Sequence, residues 1–313
     1  MLISVLLVSH NNQKDLEILL PSLVKALNHL EQSLNFTFSA KGSNGNTDGK
    51  ISNGNIDGKE RKISKPICHN SSLSEILLVD NCSSDSTVDF VQKHFPNVLI
   101  TKNRKKMGYG ANQNQNIAKA KGKFLLIMNP DMVLPPNLFN IMVKFMDDHK
   151  DAGIATCKVC NLDGSSQYLN KREPTIFDLF VRRFFPNIRK IYLSKSTNTI
   201  QELHNTIVKR LDMYEMRDVG YDKVVDVPFV SGSFMFTRAS LIKELNGFDE
   251  RFFMYFEDVD LCKRVRNKAR SLYCPDVSVI HRWDRASHKS LKWTIVFILS
   301  GLKYFHKWGF RFI

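Results

Sequence analysis

The sequence predicts an α/β protein in which a parallel sheet lies between two layers of helices. Three observations lead to this prediction: apolar runs of strand length alternate with helical patterns, several of the runs end in polar residues, and 43% of the 313 residues are hydrophobic. A chain of this size can bury a core without disulfides or metals. Strands that alternate with helices pair in parallel through right-handed crossovers.

The first strand is predicted at residues 2–8, an apolar run rich in β-branched side chains that stops at the polar residues 9–12. Leucines then recur at intervals of three and four residues, which predicts an amphipathic helix. These leucines are Leu16, Leu19, Leu20, Leu23, Leu27 and Leu30. The elements predicted next are a strand at residues 76–79, a helix containing Val88, Val91 and Phe95, a strand at residues 98–101 and a strand at residues 124–128.

Polar residues follow the carboxyl ends of three of these strands. Ser9, Asp80 and Asp131 each stand at or just after a strand end. Ligands of parallel α/β sheets bind at that edge, so the three side chains are expected to lie near one site. A single acidic residue in such a place is more often a helix cap or a solvated charge. The shared edge of the sheet weakens that interpretation here.

Residues 39–62 interrupt the alternation. They contain almost no large apolar side chains and carry a near-repeat, residues 42–50 followed by residues 51–59. Segments that bury little apolar area do not recover their ordering entropy, so we expect a flexible surface insertion. Asp48 and Asp57 could be taken for a calcium-binding repeat, but the further ligands that Ca²⁺ needs are missing.

The chain is strongly basic, with 45 Lys and Arg against 31 Asp and Glu and a formal charge of +14. This excess favours polyanionic partners: nucleic acid, anionic lipid or phosphorylated ligands. No recognised nucleic-acid-binding motif is present, so no nucleic-acid partner is expected. The apolar stretch at residues 293–302 is about half of the roughly 20 residues that cross a bilayer. Neither a membrane-spanning helix nor a secretory signal is expected.

The six cysteines are scattered, which suggests reduced thiols in a cytoplasmic protein. Cys157 and Cys160 form one Cys-x-x-Cys pair, but no second pair completes a tetrahedral zinc site, so a metal or redox role is disfavoured. Gly108 and Gly110 begin a dinucleotide-binding fingerprint whose third glycine is replaced by Gln113, which disfavours a nicotinamide cofactor.

Seven sequence blocks, in their order and spacing, resemble the inverting glycosyltransferases of family 2. The blocks are residues 3–12, 79–87, 108–114, 126–133, 230–236, 247–264 and 279–281. The tail at residues 283–290 and 303–309 resembles the branch that contains rhamnosyltransferases of bacterial polysaccharide and O-antigen assembly. The resemblance implies a GT-A fold, a three-layer Rossmann-like sandwich with a mainly parallel sheet, over residues 1–290. Residues 291–313 would be a C-terminal helical extension.

The resemblance also implies roles for individual residues. Asp258 would be the general base that deprotonates the acceptor hydroxyl, and Asp131 would bind a divalent cation, Mg²⁺ or Mn²⁺. His281 would be a second ligand or contact the diphosphate, although a neutral histidine packed at a strand end is the alternative. The first Asp of the usual Asp-x-Asp motif is Asn129 here, so metal binding is expected to depend more on the donor diphosphate and His281.

The remaining implied site residues divide between the two substrates. The donor, a nucleotide-diphosphate sugar, would contact Ser9, Asn11, Asp80, Gly108, Asn114, Asn129 and Asp131. The acceptor, a glycan or a glycan linked to polyprenyl diphosphate, would contact Gly232, Ser233, Glu257 and Arg285.

Residues 291–313 mix aromatic and basic side chains around a short apolar core, which is typical of a helix that lies on a membrane surface. A terminal helix packed on the protein's own core is the alternative. A basic surface facing the inner leaflet of the plasma membrane would attract anionic lipid and hold the phosphates of a lipid-linked acceptor. The candidates for that contact are Arg282, Arg285, His288 and Lys289.

The function predicted from these features is transfer of a sugar, L-rhamnose from dTDP-rhamnose as first choice, in cell-surface polysaccharide biosynthesis. A UDP-hexose donor is the second choice, since a few hydroxyl contacts decide such specificity. A family-like scaffold without activity and a basic nucleic-acid-binding protein are the rival hypotheses.

Overall fold

The computed structural model describes residues 1–40, 66–67, 69, 71–191, 198–282 and 291–313. Within these residues one nine-stranded sheet forms the centre of the molecule. Its strands are β1 (Ile3–Ser9), β2 (Ser74–Asp80), β3 (Leu99–Lys102), β4 (Phe124–Met128), β5 (Met132–Val133), β6 (Ala152–Cys160), β7 (Val225–Asp226), β8 (Phe234–Arg238) and β9 (Arg270–His281).

Helices connect most of these strands, as the alternating pattern predicts. They are α1 (Gln13–Ala40), α2 (Thr87–His94), α3 (Tyr109–Lys119), α4 (Leu138–Asp148), α5 (Ile176–Phe184), α6 (Asn198–Tyr214), α7 (Ala239–Glu244), α8 (Glu257–Arg266) and α9 (Leu291–Trp308). Residues 39 and 40, where the insertion was predicted to begin, continue α1. The rest of that segment, residues 41–62, lies outside the described residues.

The strands run in the order β3-β2-β1-β4-β8-β6-β9-β5, and β7 pairs with β9. The first four strands are parallel, in the registers expected of successive crossovers. The second half is mixed: β6 and β9 are parallel, whereas β8 runs antiparallel to both β4 and β6. The predicted α/β fold class is therefore confirmed, and its mainly parallel character belongs to the first half of the sheet.

Two hydrophobic clusters cover the two faces of the sheet. Successive residues of β1 belong to different clusters, because neighbouring side chains of a strand point to opposite faces of the sheet. Val5 and Leu7 lie in one cluster, and Leu6 lies in the other. Helices α1, α2 and α4 cover the first face, and α3, α7, α8 and α9 cover the second. The three-layer arrangement follows from this division.

Helix α9 buries one side against the rest of the protein and exposes the other. Tyr304 and Phe305 are buried, and the Phe256 ring stacks on Tyr304 with centroids 5.5 Å apart. Ile295, Leu299 and Leu302 on the same helix are half-exposed. Among the helices that the structure describes, none is long and apolar enough to cross a membrane.

Candidate active site

A cavity of about 370 Å³ opens beside the carboxyl end of β4. The strand order places the β4 end next to the start of β8, and the N-terminus of α8 faces the same space. Six of the sequence-predicted residues line the cavity: Asn129, Gly232, Ser233, Glu257, Asp258 and His281. The chain thus brings residues about 150 positions apart into one site.

The loops after β1 and β2 are joined by hydrogen bonds at the edge of the sheet where donor contacts were predicted. The Ser9 hydroxyl donates to Asp80 Oδ1 at 3.4 Å, and Asp80 Oδ2 accepts from the Ser83 amide at 3.1 Å. Asn11, at a positive φ of 58°, accepts from the Ser84 amide at 2.7 Å. These contacts fix the three predicted donor residues Ser9, Asn11 and Asp80 in a polar, preformed edge.

Asp131 and His281 face each other across the junction of β5 and β9. Antiparallel pairing sets Met132 opposite His281, and the Arg282 amide donates to the Asp131 carbonyl at 2.8 Å. As a result, His281 Nε2 lies 3.2 Å from Asp131 Oδ1. The structure thereby joins the two residues predicted to hold a metal.

Gln167 determines which nitrogen of the His281 ring carries a proton. The Gln167 amide nitrogen donates to the His281 carbonyl at 2.8 Å and to Asn161 Oδ1 at 2.9 Å, which leaves its oxygen for His281 Nδ1 at 2.8 Å. Nδ1 therefore donates, and in the neutral ring Nε2 presents a lone pair to Asp131. Two acceptors at this distance need a second imidazole proton or a cation between them.

The donor set fits a divalent cation with help from a ligand. Neighbouring ligands of an octahedral ion with bonds of about 2.1 Å stand about 3 Å apart, close to the Asp131–His281 separation. Carboxylate oxygen suits Mg²⁺ and Mn²⁺, and imidazole suits Mn²⁺. No group of three or more His, Cys, Asp or Glu side chains within the described ranges could hold a metal by itself. The diphosphate of a substrate would have to supply the other oxygens.

Glu257 and Asp258 begin α8, where the helix N-terminus stabilises negative charge. Asp258 Oδ2 accepts from the Gly232 amide and Oδ1 from the Val259 amide, both at 2.9 Å. Burial raises the pKa of both carboxyls, and the negative charge of Asp258 raises the pKa of Glu257 further. A carboxylate with a raised pKa is the type of group that accepts a proton from a hydroxyl.

The backbone is strained immediately before these carboxylates. Tyr255 and Phe256 have φ values of 70° and 68°, a left-handed conformation that costs about 1–3 kcal/mol per bulky residue. Gly108 packs under this turn, because a Cβ there would lie 2.7 Å from the Phe253 carbonyl oxygen. The role of Gly108 in the structure is therefore to let α3 approach the turn that presents Asp258.

Gly232, Ser233 and Asn129 join the two sides of the cavity. The Asn129 amide donates to the Ser233 carbonyl at 3.1 Å, which ties the end of β4 to the loop before β8. A Cβ at Gly232 would lie 3.3 Å from the Asp258 Cβ, so a larger residue would press on Asp258. This close packing explains why glycine stands beside Asp258.

Six of the predicted site residues that the structure describes do not line the cavity: Ser9, Asn11, Asp80, Gly108, Asn114 and Asp131. The Asn114 side chain donates to the Phe248 carbonyl and accepts from the Phe248 amide, at 2.9 Å and 2.8 Å. It thus braces the loop before α8, and it is absent from the cavity lining. Arg285 lies outside the described residues, as do His288 and Lys289.

Sequence reasoning missed Lys171, Asp260 and Tyr109. Lys171 and Tyr109 line the cavity. Asp260 is fully buried and accepts from Arg264 Nε and Trp308 Nε1, both at 2.8 Å, which ties α8 to α9. Of the three, only Asp260 carried a signal in the sequence, since it stands in the acidic start of α8.

Cys157 and Cys160 form no disulfide and are buried, and burial raises the pKa of both thiols.

A family model for glycosyl transferase family 2 matches residues 65–245, more than half of the chain. The chain belongs to this family. It is a glycosyltransferase, and the resemblance seen in its sequence blocks is confirmed.

Two curated relatives are rhamnosyltransferases by name. The N-acetylglucosaminyl-diphospho-decaprenol L-rhamnosyltransferase of Mycobacterium tuberculosis is 27% identical over 235 residues, which cover 68% of this chain and 70% of that protein. Rhamnosyltransferase WbbL of Escherichia coli is 27% identical over 182 residues, 56% of this chain and 60% of WbbL.

The fold is similar to that of a solved glycosyltransferase. The mannosyltransferase PcManGT of Pyrobaculum calidifontis, in complex with GDP-Man and Mn²⁺, has a TM-score of 0.55 at 14% identity. The match covers 97% of this chain and 63% of PcManGT. This likeness confirms the predicted GT-A fold.

Proposed function

We propose that this glycosyltransferase moves L-rhamnose, with inversion, from a nucleotide diphosphate to a hydroxyl of a glycan carried on polyprenyl diphosphate. The observation that carries the proposal is that Asp258 and His281 line one cavity while Asp131 lies in contact with His281. The two rhamnosyltransferase relatives support the donor, and the diphospho-decaprenol relative supports the acceptor. The reaction would belong to cell-surface polysaccharide biosynthesis.

Asp258 is placed to act as the base. In the proposed step the acceptor oxygen bonds to the anomeric carbon as the bond from that carbon to the diphosphate oxygen breaks, and the hydroxyl proton passes to Asp258. The Gly232 and Val259 amides hold the carboxylate in place while its charge changes. Because the pKa of Glu257 is raised well above its usual range, Glu257 would stay protonated and leave Asp258 as the ionised member of the pair.

Asp131 and His281 would hold Mg²⁺ or Mn²⁺ together with the donor diphosphate. A bound divalent cation neutralises the charge that develops on the leaving diphosphate, the role that a general acid has in glycosidases. The preformed loops at Ser9, Asn11 and Asp80 would receive the nucleoside end of the donor. Asn129, uncharged where a second carboxylate usually stands, leaves the substrate diphosphate to complete the coordination.

A donor panel tests this function. Purified protein is incubated with dTDP-rhamnose, UDP-hexoses or GDP-mannose as the donor, each with Mg²⁺, Mn²⁺ or a chelator. The acceptor in every reaction is N-acetylglucosamine linked through diphosphate to a short lipid. We expect metal-dependent transfer from dTDP-rhamnose. Transfer only from a UDP-hexose would overturn the rhamnose assignment. If neither transfer nor donor hydrolysis occurs with any combination of donor and metal, the proposed function is wrong.

We also propose that the enzyme works while bound to the inner face of the plasma membrane. Helices α5 and α9 lie side by side: Arg183 on α5 donates to Thr294 on α9 and lies over the Phe297 ring. Half-exposed apolar residues cover both helices, among them Phe180, Phe184, Ile298 and Leu299. The same helices line the cavity through Leu179, Arg183 and Phe297. A lipid-linked acceptor could therefore enter from the membrane surface.

Vesicle binding tests this placement. The double variant Phe184→Ser, Leu299→Ser removes apolar groups from the paired helices, and Phe36→Ser on α1 is the control because Phe36 is also exposed. We expect the wild type and the control to sediment with vesicles that contain anionic lipid, and the double variant to remain in the supernatant. Equal sedimentation of all three proteins would contradict the proposal.

A further inference from the structure

Lys171 is a buried cation that faces the cavity. Its residue is 6% exposed, and its backbone is fixed by two hydrogen bonds with Phe229, at 3.0 Å and 2.9 Å. The side-chain nitrogen lies 5.0 Å from the Phe229 ring centroid. Within the part of the chain that the structure describes, no carboxylate forms an ion pair with it and no acceptor receives a hydrogen bond from it.

A lysine in this position is poorly matched to its surroundings. Burial, followed by repulsion from Arg182, lowers the pKa of Lys171 to about 7. The charges of Glu215 and Asp258 favour the ammonium form, but neither carboxylate forms an ion pair with Lys171, and burial has the larger effect. A buried charge without a paired counter-charge is costly, and an anionic ligand can supply the missing partner. An anion in the cavity would restore the ammonium form and gain a strong, desolvated hydrogen bond.

Two arginines extend the positive wall of the cavity. Arg182 and Arg183 project from α5 and line the same space. Arg182 pairs with Glu215 at 3.2 Å, but Glu215 also pairs with Arg189 at 3.0 Å and Arg217 at 2.8 Å. Asp212 pairs with Arg189 and Arg217 as well, so two carboxylates serve three guanidinium groups and the cluster keeps an excess of positive charge.

The position of this wall identifies which substrate it meets. The donor loops at Ser9 and Asp80 do not line the cavity, whereas Asn129, His281, Asp258 and Lys171 all do. Among these residues, Asp258 is the one whose charge acts on Lys171. A molecule whose hydroxyl meets Asp258 can extend to Lys171. Leu179, Tyr255 and Phe297 add apolar surface to the same cavity, which suits a hydrocarbon chain beyond the anion.

We propose that Lys171, with Arg182 and Arg183, binds the diphosphate of the acceptor. This inference rests on the proposed function, because it takes Asp258 as the point where the acceptor hydroxyl reacts. The ligand class is a sugar diphosphate ester of a lipid alcohol. The donor diphosphate is assigned to the pair Asp131 and His281, of which His281 lines the same cavity.

Steady-state kinetics of Lys171→Met test the inference. Two acceptors carry the same sugar, one linked through diphosphate to a short lipid and one linked to that lipid directly. We expect the KM of the diphosphate acceptor to rise at least tenfold, with the KM of the neutral acceptor and the donor unchanged. Equal effects on both acceptors, no effect on either, or a matching rise in donor KM would overturn the assignment. Lys93→Met on the exposed surface of α2 is the control of equal charge change.

A binding measurement separates this inference from the proposed function. Titration calorimetry follows farnesyl diphosphate binding to the wild type, Lys171→Met, Lys171→Arg and Lys93→Met, each checked for an unchanged melting temperature. If no donor is transferred, the function fails, yet binding that is tenfold weaker in Lys171→Met and retained in Lys171→Arg still supports the site. Equal binding by wild type and Lys171→Met, or displacement of farnesyl diphosphate by a nucleotide diphosphate, would overturn it.

Discussion

The two sides of the active site satisfy their polar groups in different ways. On the proposed donor side, Ser9, Asn11 and Asp80 bond to one another's loops and form a preformed edge. On the proposed acceptor side, Glu257 and Lys171 are buried in a cavity where burial disfavours their charged forms. The donor side is thus complete without ligand, whereas the acceptor side depends on what binds there. Four variants test this contrast, from the largest expected effect to the smallest.

Asp258→Asn removes the proposed base from the proposed acceptor side. We expect kcat to fall by a factor of about 10²–10⁴, the usual contribution of a positioned general base. The donor KM and the melting temperature should change little, because the donor edge lies apart from this carboxylate. Transfer assays with saturating donor measure the loss, and Asp80→Asn is the contrasting variant, in which donor KM should rise. Unchanged turnover in Asp258→Asn would contradict the assignment of the base.

Asp260→Ala tests whether the acceptor side depends on α9. Asp260 is fully buried, and Arg264 and Lys307 both pair with it, at 2.8 Å and 2.6 Å. Removing one partner of a buried ion pair costs about 3–5 kcal/mol, because the remaining charges stay buried. Urea unfolding should show this loss of stability. A change below about 1 kcal/mol would mean that α9 holds α8 by apolar packing alone.

Gln167→Leu tests the metal pair where the two sides meet. Without the Gln167 oxygen, His281 loses the partner that fixes its tautomer. Partners of this kind change metal affinity by a factor of about 10–100. We expect the Mn²⁺ concentration for half-maximal transfer to rise by that factor and kcat to recover at saturating Mn²⁺. An unchanged metal dependence would remove His281 from the metal site.

Glu257→Gln tests the charge state of the acceptor side. The raised pKa of Glu257 means that the folded protein keeps a proton which the unfolded chain releases above the ordinary pKa of about 4.3. Wild-type stability should therefore fall as pH rises from about 5 to 8, by at most about 1.4 kcal/mol per pH unit for one proton. Glu257→Gln should flatten this dependence in urea unfolding. Parallel pH profiles for the two proteins would contradict the raised pKa.

The donor side was predictable from sequence because strand ends are local features. Asp80 and Asp131 follow apolar runs that any parallel sheet would bury, so their shared edge could be inferred from the pattern alone. The acceptor side depends on long-range packing. Lys171 lies at the cavity because its backbone pairs with Phe229, which is distant in the sequence. Strand β8 is a short run of residues whose sequence does not show that it runs antiparallel to β4.

Asn114 shows the limit of reasoning by motif. Its position in the matched block implied donor contact, yet its amide is occupied by the loop that carries Phe248. Gly108 likewise serves the turn at Phe253. Both residues support the strained turn before α8. The three-dimensional contacts therefore give these two residues a supporting role in the turn, and their contact with the donor stays a prediction.

The most direct test of the central claim is the configuration of the first product formed by the wild-type enzyme. A single displacement with Asp258 as base inverts the anomeric centre of the donor sugar. Proton NMR of the product formed from dTDP-rhamnose and the diphosphate-linked acceptor reports this configuration. The predicted result is an inverted product from the wild-type enzyme and a much slower transfer reaction in Asp258→Asn. A product that retains the donor configuration would contradict the mechanism built on Asp258.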